Sequence, residues 1–319
     1  MNAKKLFSAV AAVAVLAAPQ MSLADAPECT TAKLIVPWSP GGGTHIIFSL
    51  FEKAVNKQDP ATKIQVVAIP GQGGNKGARE ALKADADGCT LFAIHESALI
   101  SYLNKRVDFN WDAFEPVSLL TSTPDILGAR GGVEWADYGA MSTAVEAAPE
   151  TITVGATFGS TSHFVWLRLE EATGLKFKYV PFDGTRQRMT ALLANTIDMG
   201  AMNVTSGREY FASGELRGLA IAAEERSPHL PDIPTLKELG VDMVSAINRG
   251  VVAPKGTPET AITYWAEIFE AAANDPELVQ ELNAKGTDVD YHGPQGYGEW
   301  FGETFEAYKA VADKIGMGS

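Results

Sequence analysis

Cysteine is nearly absent from this 319-residue chain, which has only Cys29 and Cys89. Two thiols alone do not make a zinc site, and no further ligands stand at suitable spacing beside them. Basic residues are also scarce, 26 lysines and arginines against 39 aspartates and glutamates, for a net charge of −13. Such a balance argues against nucleic acid and anionic membranes as partners. It leaves an anionic small molecule open, because a local pocket of N–H dipoles can override a distant net charge. Past the N-terminus no segment approaches the ~18 uninterrupted apolar residues of a membrane span. Catalytic signatures are missing as well. The five histidines, His45, His95, His163, His229 and His292, form no H-E-x-x-H pattern. His95-Glu96-Ser97 lacks the G-x-S-x-G elbow of a hydrolase serine. The glycines of GGGTHIIF lack P-loop spacing and its lysine. GQGGNKG has G-x-G but not the full dinucleotide fingerprint. No cofactor, no metal and no enzymatic activity are expected.

What is there begins with a leader. Lys4 and Lys5 precede an apolar run from Leu6 to Ala18, and Ser22-Leu23-Ala24 offers small residues at a cleavage site. Residues 1–24 read as a signal peptide cut after Ala24, and the run is too short to span a bilayer of about 30 Å. A free, exported protein is the expectation. Removing Lys4 and Lys5 leaves 24 basic residues against 39 acidic ones, a net charge of −15. In an exported chain the two cysteines are expected to be bridged. Geometry agrees, since Cys29 precedes the first strand candidate and Cys89 the third, and parallel neighbours start side by side.

About 295 residues then remain, enough for one large domain or two ordinary ones. Strand candidates AKLIVP (32–37), IQVVAIP (64–70) and CTLFAIH (89–95) alternate with helical stretches over 45–57 and 75–85. Short βα connections of this kind mark a parallel sheet with helices on its faces. FEPVSLLTSTPDILGAR (114–130) reads as one extended chain crossing between lobes. The pattern then repeats, with strands at 151–159, 176–182, 198–203 and 216–223 and helices from Ser162 and over 184–195. A proline-marked loop, a last strand RGVVAP and helices over 257–273, 275–284 and 293–315 return the chain. The fold class is α/β, with two lobes and a cleft where strand ends and helix starts converge. Lobe I is placed at 25–124 plus 224–319, and lobe II at 125–223.

Four segments share one design, a strand end, small or hydroxyl residues, then a helix start. They are SPGGGTH (39–45), GQGGN (71–75), FGSTSH (158–163) and FDGT (182–185). Each presents N–H groups and the positive end of a helix dipole, which hold a carboxylate or phosphate without a cationic side chain. Any one of them alone merely turns the chain and caps its helix. Four across two lobes point to a shared anion pocket. Candidate ligand residues are Gly73 and Asn75 in the second segment, Glu96 after the third strand, and Phe158, Phe182, Asp183 and Asn203 at the mouths of lobe II. His45 and His163 are candidates for hydrogen bonds to the ligand.

In order, LIVPWSPGGGT, GQGGNKGAREALKADADGCTL, FEPVSLLTSTPDIL, FGSTSHF, VPFDGT, RSPHLPDIPTLKELG and VVAPKGTPE resemble the solute-binding proteins of tripartite tricarboxylate transporters, the Bug or TctC family. The resemblance covers nearly all of the chain after the leader, and RSPxLPDxPT combined with APxGTP is its most specific part. It implies a periplasmic binding protein type II fold that closes over one small carboxylate and hands it to a membrane permease. The family's grip on the carboxylate carries over to Ser39, Pro40, Gly41, Gly42, Gly43 and Thr44, and to Gly159, Ser160, Thr161, Ser162 and His163. One position departs from the family's usual PGGGTD, since His45 replaces the acid. That either favours a more anionic ligand, or one lacking an amine, or is a structural exchange in the first turn of a helix. The expected ligand is a di- or tricarboxylate or an aromatic acid. The expected partners are that ligand and the permease, with a monomeric protein and no nucleic acid. Presentation to a sensor kinase, or an enzyme on the same two-lobed fold, are the alternatives.

Overall fold

A computed structural model describes residues 26–314, 316 and 317. The expected leader and its cleavage after Ala24 lie outside the described residues. The chain runs β1 (Thr31–Val36), α1 (Gly43–Lys57), β2 (Lys63–Ala68), α2 (Asn75–Ala81), β3 (Thr90–Ile94), α3 (Ser97–Leu103), β4 (Phe114–Arg130) and α4 (Tyr138–Ala147). It continues β5 (Thr153–Ala156), α5 (Thr161–Thr173), β6 (Lys178–Pro181), α6 (Thr185–Leu193), β7 (Met199–Asn203), α7 (Val204–Ser213) and β8 (Leu216–Ile221). It closes with β9 (Ala246–Pro254), α8 (Glu259–Ala273), α9 (Pro276–Ala284), β10 (Asp288–His292) and α10 (Pro294–Lys314).

The two-lobed α/β expectation is borne out. Strands β2, β1 and β3 are parallel, and β3 pairs antiparallel with β9, which pairs with the first part of β4. In the other lobe β6, β5 and β7 are parallel and β7 pairs antiparallel with the last part of β4. Apolar runs such as LIV in β1 and LFAI in β3 are buried on both faces, as parallel strands covered by helices require. Helix α1 buries Ile47, Phe48, Phe51, Ala54 and Val55, one stripe at helical spacing, against β1 and α8. Trp166 and Leu169 of α5 do the same against Val154 and Met199 in the second lobe.

The 17-residue strand β4 is the structural member shared by both lobes. Phe114 to Pro124 pair with β9, with β10 on the other side. Asp125 to Ala129 pair with β7, and Ile126 to Arg130 with β8. The ladder changes hands at Pro124, whose ring nitrogen has no hydrogen to give. Beside it the chain crosses back, because the Asp125 amide donates to the Ser245 carbonyl and the Ala222 amide to the Asp125 carbonyl, at 2.9 and 2.8 Å.

Four elements escape the sequence patterns. Helices α3, α4 and α7 and the polar edge strand β10, DVDYH, were not expected. For α7 the signal is present in hindsight, since Asn203 and Ser206 make a reciprocal capping box. Helix α2 ends at Ala81, short of 85.

Cys29 and Cys89 form a disulfide with Cα atoms 6.0 Å apart. It ties the entry of β1 to the entry of β3, which pair in parallel from Lys33 opposite Thr90. Replacing both cysteines with serine is expected to cost about 2–4 kcal/mol of stability. Urea unfolding of the two proteins measures it, and identical midpoints would show that the bridge contributes nothing.

Candidate ligand-binding cleft

Three helices begin at one cavity of about 210 Å³ between the lobes. The start of α1 supplies Gly42, Gly43 and Thr44, the start of α5 supplies Ser160, Thr161 and Ser162, and the start of α6 supplies Gly184 to Arg188. None of the three carries a side-chain cap on its N-terminus. Their first-turn amides therefore lack the partner that a capping residue normally provides, and their dipoles converge on one space. Helix α7 differs, because its N-cap Asn203 is occupied by its capping box. Asn203 nevertheless lines the cavity. A β-carbon at Gly43 would stand 3.5 Å from both Asn203 amide atoms, so glycine brings the α1 loop close to the opposite lobe.

Trp38, Ser39, His95, Asp125, Thr157, Asp183, Ala201, Met202 and Ile247 complete the wall. Of the residues singled out from sequence, the structure brings together Ser39, Gly42, Gly43, Thr44, Ser160, Thr161, Ser162, Asp183 and Asn203. The others lie elsewhere. Gly41 faces an outer groove, and exposed Pro40 accepts a hydrogen bond from Arg186 through its carbonyl. His45 stands on α1 with Nδ1 3.5 Å from Ser49 Oγ. Asn75 and Gly73 line a small crevice on the far side of Trp38 and His95.

Phe158 and Phe182 line a shallow outer depression with Gly73 and Arg106. The cause is local, since Gly159 has φ 73° and turns the chain so that residues on either side of it face opposite ways. His163 is stacked on Phe158, and its Nδ1 accepts the Gly159 amide at 3.4 Å. Gly159 gives its carbonyl to Ser101 Oγ across the cleft at 3.2 Å. Glu96 is fully buried, with Oε1 and Oε2 accepting from the Asn248 amide and Oε1 from its Nδ2.

No cationic side chain was expected in the pocket, and here the structure differs. Arg188 of α6 is 3% exposed and lines the cavity. It donates to Thr157 Oγ1 at 3.0 Å, Thr185 Oγ1 at 3.2 Å and the Ala201 carbonyl at 3.1 Å. Arg249 of β9 is fully buried. It donates to Thr44 Oγ1 at 3.1 Å, Thr123 Oγ1 at 2.6 Å and the Ile247 carbonyl at 3.3 Å. Its Nη2 stands 3.8 Å from the position a Gly43 β-carbon would take. Arg188 Nε and Arg249 Nη2 have no hydrogen-bond partner among the described residues.

Both guanidiniums therefore bond to neutral oxygens only. Burial pulls each down to about 10, which leaves both charged at neutral pH. The signal for Arg188 was an anomaly. Arg186 and Arg188 fall in the first turn of a helix, where the dipole disfavours cations. Asp125 also stood out, an acid inside the crossover strand.

The acids nearby are perturbed in the other direction. Burial pushes Asp125 and Glu96 up to about 7. Burial, aided by Arg249, pulls His95 down to about 3, so its ring is neutral where it stacks on Trp38 at 5.1 Å.

Residues 54–317 match the tripartite tricarboxylate transporter family receptor, TctC. The chain belongs to that family. A Cupriavidus necator relative, the UPF0065 protein in the gbd 5' region, is 29% identical over 97% of this chain and 95% of its own. Among solved structures, MatC from Rhodopseudomonas palustris with bound malate superposes with a TM-score of 0.83. It is 26% identical over 88% of this chain and 98% of its own. The periplasmic binding protein BugD has a TM-score of 0.84 at 24% identity, covering 90% of this chain and 98% of its own. As a TctC-family solute-binding protein, this chain carries its cavity at the meeting of its two lobes, lined from both sheets.

The buried acids give a test of this electrostatic description. A carboxyl whose folded value exceeds its unfolded value contributes stability that is full below the unfolded value, 4.5 for Glu96. That contribution is lost as pH rises through about 7. Glu96→Gln can keep the two bonds that Oε1 accepts from Asn248, and it cannot ionise. It is expected to gain on wild type by about 1–3 kcal/mol between about pH 5 and pH 8. Urea midpoints at the two pH values measure the gain, and parallel behaviour would show that Glu96 does not titrate there.

Proposed function

We propose that this chain is a periplasmic solute-binding protein that captures a small organic carboxylate, a di- or tricarboxylate or an aromatic acid, and delivers it to a tripartite tricarboxylate-type permease. The observation that carries this is the buried positive charge of Arg188 in a wall where three uncapped helix starts converge. Arg188 feels the charge of Asp125 through space but is bonded only to neutral oxygens and keeps its Nε unpaired, which leaves it free to meet a ligand anion. A carboxylate meets that charge and the first-turn amides together. The cavity is below the ~300–1,000 Å³ of drug-sized sites, which favours a compact acid over a nucleotide. Malate bound to the related MatC agrees in chemical class.

The ligand set we assign is Ser39, Gly42, Gly43, Thr44, Ser160, Thr161, Ser162, Asp183 and Asn203 from the sequence, with Arg188 and Asp125 added. We place one lobe boundary at 124/125, since the ladder of β4 changes partner at Pro124. The return lies near 245 rather than 223/224, since Leu230, Ile233, Leu236, Val241 and Met243 pack into the lobe II core. The protein acts as a monomer. Closing the lobes would be favoured by contacts that only the paired walls make. Ser101 to Gly159 and Arg186 to Pro40 are bonds of this kind.

Hydrolytic chemistry fits the cleft poorly. Ser160 Oγ donates to the Thr157 carbonyl, Ser162 Oγ accepts the Thr157 amide, and the His163 ring faces Gly159.

A thermal-shift screen against organic acids tests the function directly. A ligand that binds the folded form raises the melting temperature by mass action. The expected result is a rise with at least one di- or tricarboxylate or aromatic acid, which is recovered unchanged after incubation. Turnover of the acid would make the protein an enzyme. For the acid so found, Thr161→Ala is expected to weaken binding by about 1–3 kcal/mol in calorimetry. Unchanged affinity would remove Thr161 from the site.

A further inference from the structure

Asp125 is an unexpected group to find in the wall of an anion site. It is 2% exposed, it lines the cavity, and it sits where β4 passes from one sheet to the other. Its Oδ2 accepts from Ser245 Oγ at 2.8 Å, across the hinge. Oδ1 has no partner among the described residues. The strand ladder sets Asp125 opposite Asn203, the residue that Gly43 approaches from the other lobe. In its ionised form Asp125 would repel an acid's carboxylate, and its free Oδ1 is then suited to a donor on the ligand.

We propose that Asp125 reads a hydroxyl on the bound acid, so that the ligand is a hydroxy-carboxylic acid whose O–H donates to Asp125 Oδ1 while its carboxylate is held by the helix starts. This rests on the carboxylate-binding function proposed above and adds the group that selects among carboxylates. A hydroxyl suits the position better than an ammonium. The charges of Arg249, Arg168 and Arg188 all act on Asp125, and they would oppose a further cation beside it. A neutral donor gains the charge-assisted bond to Asp125 without that repulsion. An acid lacking the hydroxyl leaves a buried carboxylate oxygen unpaired, and that penalty is the source of discrimination.

Calorimetry on the full chain with matched pairs of acids tests the proposal. Suitable pairs are succinate and malate, glutarate and 2-hydroxyglutarate, tricarballylate and citrate, and phenylacetate and mandelate. The hydroxylated member of the pair that binds is expected to bind roughly 10- to 100-fold tighter than its partner. Malate is expected to bind tighter than aspartate. Asp125→Ala should bring the hydroxyl ratio close to one while changing the affinity of the plain acid less. If that variant does not fold, Asp125→Asn, which can keep the Ser245 bond, should reduce the ratio to a few-fold. Equal affinity within every binding pair, an undiminished ratio in the variants, or tighter binding of aspartate would each overturn the hydroxyl assignment and leave the carboxylate site standing. A panel in which no acid binds would overturn both.

Discussion

Positive charge buried with no carboxylate bonded to it is the constraint on which the cleft depends. Arg188 and Arg249 are held by threonine hydroxyls and main-chain carbonyls, oxygens that orient a guanidinium without neutralising it. Around them three helices begin with no capping side chain, so the same small volume receives the positive ends of three dipoles. Folding bears the cost of collecting these groups, and under the proposed function a bound anion would offset it. Affinity in such a site comes from charge that is already in place and already desolvated. The threonines have two functions here. Thr44 and Thr157 line the cavity and also fix the guanidinium planes, so the wall and its charge are positioned by the same residues.

Strand β4 makes a two-sided site possible. One half of it belongs to the sheet that carries the α1 loop, the other half to the sheet that carries α5 and α6. The returning chain crosses beside it at Ser245, so the lobes are joined by two adjacent extended segments that can bend at one place. Asp125 lies at that place. Its main chain holds the two crossings together and its side chain faces the cavity, which couples the hinge to whatever occupies the cleft. Further out, Thr287 Oγ1 lies 3.0 Å from both Thr123 Oγ1 and Thr205 Oγ1, another link between the lobes close to the crossing.

Much of the fold was legible because parallel strands covered by helices must be apolar on both faces. LIV, LFAI and the alternating βα spacing announce themselves, and so do the cysteines at the entries of β1 and β3. The elements that escaped have weaker reasons to exist on their own. Strand β10 is an edge of polar residues, held by pairing with β4, and α3 and α7 are short helices whose stability comes from what they pack against. In the cleft the loops were legible and their side-chain directions were not. Phe158 and Ser160 are two apart, yet Gly159 with its positive φ sends the phenyl ring outward and the serine inward.

The sequence by itself determined the two-lobed α/β class, the crossover strand, the pairing of the cysteines, and the four loops with the chemistry to hold an acid. These are local properties, decided by residue type and spacing along a few consecutive positions. Only the tertiary structure decided which loops meet, that Arg188 and Arg249 lie buried beside them, and that Asp125 turns a carboxylate into the same cavity. Those residues are more than sixty positions apart in places, and a charge becomes strong only when distant segments remove the water around it. Desolvation is a property of the packed whole, and no stretch of sequence carries it alone.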